Sequence, residues 1–244
     1  MTTQQTGFYG KLPAHGDFIH RNLSVKFINV WDDWLQTFVG SSQERMGEGW
    51  LPIYLTSPIW RFCLSPGVVD EFGWAGVMLP SVDRVGRYFP FTVVTRIDSA
   101  IPLTDLLTTG TPWFESAENL ALQALDGQIC ADDILEQLQQ QKLNICAGYV
   151  RNVGGESPAR GGGLIVEKEF LEQSADGAMP LLLDGLLKQS FPSYSIWTTD
   201  GSEQVEPCVF VSPGLPSVSN GPALLDGHWV EWGWSMPFVR RQDG

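Results

Sequence analysis

The chain has 244 residues, of which 43% are hydrophobic and 18% are charged. This composition supports a folded core, and the length predicts one compact domain rather than two independent ones. The formal net charge is −13 at pH 7, which argues against nucleic-acid binding, because phosphate contacts need a field of Lys and Arg side chains.

The part of the chain before residue 100 predicts one long helix among several strands. Residues 7–13 are typical of a short strand that ends at a proline turn. Between residues 25 and 38, apolar side chains recur every three to four positions, which predicts an amphipathic helix with Ser24 as its N-cap and Gly40 at its end. Three further strands are predicted at residues 60–64, 75–79 and 89–97, and the last of these runs is rich in β-branched and aromatic residues.

Helical patterns become more frequent beyond residue 100. Helices are predicted at residues 116–125, 132–140 and 180–189. Short strands are predicted at residues 145–150, 164–167, 193–198, 208–211 and 228–234. Because strands and helices are grouped unevenly, we expect an α/β fold of the α+β type, with a mixed, mainly antiparallel sheet flanked by helices in a layered α/β/α arrangement.

The acidic residues are concentrated in the later part of the chain. Residues 1–98 contain eight Lys or Arg and nine Asp or Glu, whereas the remaining residues contain seven and nineteen. This asymmetry can attract a basic partner, although acidic surfaces more commonly serve solubility.

The N-terminal residues and the cysteines indicate a cytoplasmic protein. The first residues lack the basic and apolar segments of a secretory signal, and no run of about 18 apolar residues predicts a membrane span. The four cysteines are at least 16 residues apart and form no C-x-x-C motif, so reduced thiols are expected rather than a disulfide framework.

A catalytic or metal site has one candidate, formed by His15, Asp17 and His20. Two imidazoles and a carboxylate are suitable zinc or iron ligands. Their spacing matches no known motif, and Pro13 and Gly16 favour a turn whose side chains diverge. We expect no cofactor and no catalytic residue, while a metal-dependent or hydrolytic enzyme that uses these three residues stays the alternative.

The connection at residues 79–91 contains Asp83, Arg84 and Arg87 between apolar residues and prolines. An Arg side chain presents five donors in a planar fork that suits carboxylates and phosphates. Arg84 or Arg87, paired with Asp83, Asp17 or Asp70, would form a structural clamp. The same arginines facing solvent would form a docking site for an acidic or phosphorylated partner.

Arg61 is a further candidate because it stands between Trp60 and Phe62 in a predicted strand. Its side chain should point away from both rings. It could then pair with a carboxylate or lie over an aromatic ring.

Four sequence blocks resemble a known family when they are taken together in their order. They are GKLP with HGDF at residues 10–18, WD with WL at 31–35, PIWRF at 58–62, and PSVDRVGR with FP at 80–90. In this order they are similar to the TagF (ImpM) accessory proteins of bacterial type VI secretion systems. The resemblance indicates a TagF-like region at residues 1–130 and an acidic C-terminal region at 131–244, which we expect to pack into the same domain.

The resemblance implies a non-enzymatic, cytoplasmic repressor that acts after translation in a Gram-negative bacterium. Its implied partner is the forkhead-associated-domain scaffold protein of the secretion system. Arg61, Asp83, Arg84 and Arg87 are the candidate residues for binding that partner. A structural subunit of the secretion machine is another possibility, and it should sediment with assembled particles.

Overall fold

A computed structural model describes residues 5–140, 143, 164–166 and 175–238. Within them the chain forms seven strands, namely β1 (Thr6–Gly10), β2 (Ile19–Arg21), β3 (Trp60–Leu64), β4 (Gly73–Leu79), β5 (Phe91–Ile97), β6 (Tyr194–Thr199) and β7 (Cys208–Pro213). They make one sheet in the order β2-β1-β5-β4-β3-β6-β7, and every neighbouring pair is antiparallel. β6 and β7 extend the sheet beyond β3, so both parts of the chain contribute to it.

Seven α-helices accompany the sheet in the described residues. They are α1 (Val25–Met46), α2 (Trp50–Leu55), α3 (Leu103–Thr109), α4 (Thr111–Leu125), α5 (Ala131–Gln140), α6 (Met179–Ser190) and α7 (Ala223–Asp226). Short 3₁₀ helices lie at Gly47–Gly49 and Ala175–Ala178. None of the helices in the described part has both the length and the apolarity needed to cross a bilayer.

The helices cover both faces of the sheet, which confirms the layered α/β/α prediction. One hydrophobic cluster joins α3, α4 and α5 to one face, and a second joins α1, α2 and α7 to the other. Strand β3 shows how the two faces arise, since Cys63 belongs to the first cluster while Phe62 and Leu64 belong to the second. This alternation follows from the two-residue period of a strand.

Aromatic packing holds α1 against the centre of the sheet. The Trp31 ring lies 4.9 Å from Phe62 and 6.3 Å from Trp197, which places it over β3 and β6. Its indole Nε1 donates to the Thr92 hydroxyl on β5 at 3.1 Å. Because each buried aromatic side chain contributes about 2–3 kcal/mol, these contacts fix a helix from early in the chain onto a strand from late in it.

Helix α1 begins as predicted but does not end at Gly40. The Ser24 hydroxyl accepts from the Phe27 N–H at 3.1 Å, and the buried stripe continues beyond Phe38 to Ser42. The helix ends at Met46, after which Gly47 has a positive φ of 59°. A glycine inside a helix costs only about 1 kcal/mol, which the packing of the following turn outweighs.

Other predictions differ from the structure at short elements. Residues 228–234 form turns instead of a strand. The turns bring the Trp229 and Trp234 rings together onto the Phe210 ring. Residues 164–166 lie outside any strand, and the strand predicted at 145–150 lies outside the described residues. The sequence patterns also missed β2, α3 and α7, which have three, seven and four residues.

Candidate functional site

The connection between β4 and β5, residues 80–90, forms a small hairpin that we call the arginine loop. Asp83 N–H donates to the Arg87 carbonyl, and Gly86 N–H donates to the Asp83 carbonyl, both at 3.0 Å. Gly86 has a φ of +85°, a conformation that favours glycine. The Asp83 carboxylate also accepts from the Val85 and Arg87 N–H groups, so its side chain fixes the turn.

Asp83 is also the centre of a buried charge cluster. Its Oδ2 lies 2.8 Å from Lys11 Nζ and 2.6 Å from Arg87 Nε. Burial alone would raise the pKa of the Asp83 carboxyl, but the hydrogen bonds from Lys11, from Arg87 and from Val85 N–H outweigh it and lower the pKa below its usual value. Asp83 is therefore ionised and shapes the loop from inside.

The base of the arginine loop is attached to two other elements. The Tyr54 hydroxyl of α2 donates to the Ser81 carbonyl and accepts from the Ser81 N–H, each at 3.1 Å. The Ser81 hydroxyl donates to the Lys11 carbonyl at 2.7 Å. Burial raises the pKa of Tyr54, which keeps this hydroxyl protonated as a donor. The loop is thus held rigidly on the sheet and on α2.

The tip of the loop faces solvent. Arg84 is exposed, and its side chain forms no ion pair with any residue that the structure describes. Val85 is 65% exposed beside it, and Phe18 is 43% exposed nearby. The connection that carries Phe18 is joined to the loop, because Arg84 N–H donates to the His15 carbonyl at 3.0 Å and Arg87 donates to the Gly16 carbonyl. We call Phe18, Arg84, Val85 and Arg87 the loop face.

The loop face combines an exposed cation with apolar surface. Phe18 stacks on Tyr9 with a ring separation of 5.8 Å and meets the edge of Phe89 at 4.7 Å. The Lys11 ammonium lies 4.8 Å from the centre of the Phe18 ring. This arrangement suits binding of an acidic or phosphorylated surface by Arg84 and does not resemble proton-transfer chemistry.

Arg61 occupies a different environment from the arginine loop. As predicted, its side chain leaves β3 opposite Trp60 and Phe62. Of the two kinds of partner considered, it pairs with a carboxylate, Glu118 of α4. Nε and Nη2 donate to the two Glu118 oxygens at 2.6 and 2.9 Å, and Nη2 lies 3.2 Å from an Asp200 oxygen. The Glu118 hydrogen bond raises the pKa of Arg61. Arg61 thus joins helix, sheet and the end of β6.

The four candidate partner-binding residues therefore divide into three kinds. Asp83 and Arg61 form ion pairs inside the protein. Arg87 also pairs with the Asp83 carboxylate, but about half of its side chain is exposed. Arg84 is the candidate that faces solvent without such a pair among the described residues. Partner binding by any of them stays a prediction.

His15, Asp17 and His20 do not form one site. The Asp17 side chain is 98% exposed and lies 3.6 Å from Arg87. His15 lies in the connection between β1 and β2, and His20 lies in β2, opposite Tyr9 of β1 in the antiparallel ladder. In the described ranges, no group of three or more His, Cys, Asp or Glu side chains is placed to hold a metal ion. Asp70, another possible clamp partner, instead accepts from Phe72 N–H and Trp74 Nε1.

Two site residues were missed because nothing in the local sequence indicates them. Lys11 is 72 positions from Asp83, and Glu118 is 57 positions from Arg61. The turn itself had a usable signal, since Asp at its first position and Gly at its fourth are typical of this hairpin type.

The comparisons with known proteins agree with this architecture. The family model of the TagF N-terminal domain, described as type VI secretion system-associated, matches residues 7–141, which is more than half of the chain. The crystal structure of PA0076 from Pseudomonas aeruginosa PAO1 at 2.05 Å resolution is similar to this chain with a TM-score of 0.75 and 30% sequence identity. That similarity covers 98% of this chain and 100% of PA0076.

A search of curated proteins found no match. The family model includes β1 to β5 and the arginine loop, and the similarity to PA0076 extends over β6, β7 and the C-terminal turns. The chain therefore belongs to the TagF family of type VI secretion system-associated proteins and is an accessory protein of that system.

Proposed function

We propose that this protein is a cytoplasmic, post-translational negative regulator of a type VI secretion system. In this proposal it represses the system by binding its forkhead-associated-domain scaffold protein through the loop face. The observation that carries the proposal is the presentation of Arg84, an exposed residue at the tip of a loop that the buried Asp83 carboxylate holds in place.

The energetics of the loop favour a preformed contact. Because the hydrogen bonds to Asp83, Ser81 and Gly16 already order the loop, little conformational entropy is lost when a partner binds. Arg84 supplies a charged anchor, while Val85 and Phe18 supply apolar area around it. Asp83 and Lys11 act as positioning residues under the contact surface.

The binding test compares Arg84→Ala with wild type by calorimetry against the purified scaffold protein. We expect affinity to fall at least about tenfold, as is common for an interfacial arginine anchor. Lys26→Ala is the matched control, because Lys26 is an exposed cation on α1 whose ion pair with Glu71 is also exposed. Arg87→Ala is less suitable, since it also removes a bond to buried Asp83.

Two outcomes separate the parts of this proposal. If wild type does not bind the scaffold, the proposed partner is wrong. If Arg84→Ala binds as tightly as wild type while both are folded, the proposed partner is supported and the loop face is not the contact surface. In the source bacterium, overproduction of wild type should reduce secretion, and Arg84→Ala should reduce it less.

We further propose that the protein acts by binding rather than catalysis. The separate surroundings of His15, Asp17 and His20 support this over the alternative of a metal-dependent or hydrolytic enzyme. Elemental analysis of purified protein and a His15→Ala/His20→Ala variant provide the test. One equivalent of zinc or iron that the double variant loses, together with loss of repression, would overturn the proposal.

A further inference from the structure

The two edges of the sheet differ in how they are protected. The β2 edge has only three residues in the described part, and its Arg21 pairs with Asp132 of α5 at 3.1 Å. The β7 edge has six residues, CVFVSP, with no charged side chain. Natural proteins shield sheet edges with short strands and charges, and in the described residues β2 has both of these protections while β7 has neither.

The hydrogen-bond pattern leaves the outer side of β7 available. Gly214 N–H donates to the Ser193 carbonyl, directly beyond the Tyr194–Pro213 pair of the β6–β7 ladder. In an antiparallel ladder the bonded pairs alternate, so the N–H and C=O groups of Val209 and Val211 point away from β6. In the part of the chain that the structure describes, no backbone group pairs with them.

A groove of about 210 Å³ lies beside the first half of this edge. It is lined by residues 208–210 of β7, by Trp229 and Trp234, and by residues 235–238. Val209 is 67% exposed and Phe238 is 88% exposed. The lining is thus mostly apolar and open to solvent, a combination that commonly marks an interaction site.

Several acidic residues of the described part of the chain lie close in sequence to the residues that line the groove. Glu203 and Glu206 lie in the connection that leads into β7, at the end where the groove is, and Glu231 lies in the turn between Trp229 and Trp234. All three are exposed. The nearby cation Arg45 is already engaged, since it donates to the Ser219 carbonyl and lies 4.6 Å from the centre of the Trp232 ring.

We propose that the β7 edge binds an extended, basic segment of a partner protein, in which apolar residues alternate with Lys or Arg. The segment adds a strand to β7 through Val209 and Val211, places its apolar side chains in the groove, and places its cations near the acidic rim. A second copy of this chain fits less well, because two chains with a net charge of −13 repel each other. The inference does not depend on the proposed function, since it concerns another surface.

The test uses seven-residue fluorescent peptides that alternate Val, Ile or Tyr with Lys, measured by anisotropy against the full chain. At least one should bind saturably. The same peptide with Glu in place of Lys should bind at least about tenfold more weakly, as should an analogue whose alternate amides are N-methylated on one edge. N-methylation removes donors without changing charge, so it tests strand addition directly.

Two variants of the protein complete the test. Val211→Pro removes an outward N–H without breaking the β6 ladder, and we expect at least about tenfold weaker binding with thermal unfolding still cooperative. Glu206→Lys should weaken binding of the Lys peptide and strengthen binding of the Glu peptide. Val25→Lys is the control, because it changes an exposed valine on α1 and should leave binding unaltered.

Three results would overturn the inference. They are no saturable binding by any Lys peptide, equal binding by the N-methylated analogue, and equal binding by folded Val211→Pro. Light scattering adds a fourth, because a wild-type dimer that Val211→Pro converts to a monomer would assign the edge to a second copy of the chain.

Discussion

The Lys11 ammonium lies 2.8 Å from the Asp83 carboxylate at a place where the two side chains are only 5% and 0% exposed. The pair joins the residue after β1 to the arginine loop between β4 and β5. Arg87 donates to the same Asp83 oxygen, so two cations surround one buried anion. Removing Lys11 or Asp83 leaves a buried charge without its full compensation, and this destabilises the protein far more than losing an exposed ion pair does.

We predict that Lys11→Met destabilises the protein through this charge. Methionine retains most of the apolar stem of lysine, so packing changes little while Asp83 loses its buried cation. The melting temperature should fall by roughly 6 °C or more. Differential scanning calorimetry measures it, with Lys26→Met as the exposed control.

A double-substitution cycle distinguishes this charge effect from a packing defect. The double variant Lys11→Met/Asp83→Asn should lose less stability than the sum of the losses in the two single variants, because both charges are then absent. Additive losses would mean that the two residues are not coupled and that Lys11 matters only for packing.

The second prediction concerns acid stability. The folded-state pKa of Asp83 lies below the value of about 3.9 expected in the unfolded chain. Asp83 therefore adds stability above pH about 4, and this contribution is lost as the pH falls below that value. Urea unfolding between pH 7 and pH 2.5 should show a steeper loss below pH 4 for wild type than for Asp83→Asn. Parallel curves would contradict the assigned ionisation of Asp83.

The sequence predicted the sheet better than the site. Strand β3 was predicted at its observed bounds, because Trp60 to Leu64 carry local β-propensity and alternation that tertiary contacts only reinforce. The layered arrangement followed from the grouping of such elements. Short elements such as β2 were not predicted, because three residues are too few to show a periodic pattern of apolar side chains.

The site depends on contacts between residues that are distant along the chain. The interpretation of Arg87 as clamp or docking residue could not be decided from its neighbours, because its role depends on Lys11 and Gly16. Likewise, the carboxylate that pairs with Arg61 comes from α4, four elements after β3, and no local pattern links the two. The partners of an ionised side chain are set by tertiary geometry, which a single sequence does not encode locally.

The third prediction concerns the Arg61–Glu118 pair. Its two parallel hydrogen bonds have side chains that are 14% and 17% exposed, so screening by solvent is limited. A cycle of Arg61→Met and Glu118→Gln, measured by urea unfolding, should give a coupling energy of about 1.5 kcal/mol. Asp200→Asn is the control, since Asp200 is 87% exposed and should change stability by less than about 0.5 kcal/mol. A coupling near zero would show that the pair does not hold α4 to the sheet.

The last prediction compares two glycines that the sequence pattern does not distinguish. Gly76 lies in the middle of β4, where an added Cβ would be 2.5 Å from the Val93 carbonyl oxygen and 2.7 Å from the Phe62 ring. Gly40 lies inside α1, and such a Cβ would have no atom within 4 Å apart from its chain neighbours and the backbone of its own helix. Gly76→Ala should therefore destabilise the protein by about 2–3 kcal/mol, because backbone and buried ring must both shift.

Gly40→Ala should stabilise the protein by about 0.5–1 kcal/mol, because alanine loses less backbone entropy than glycine on helix formation. Urea unfolding of the two variants beside wild type gives both values under one condition. Opposite signs confirm that α1 continues as a regular helix through Gly40 and that β4 and β5 approach too closely for a side chain at residue 76. A destabilised Gly40→Ala would contradict the helix, and a neutral Gly76→Ala would contradict the close packing of β4 against β5 and Phe62.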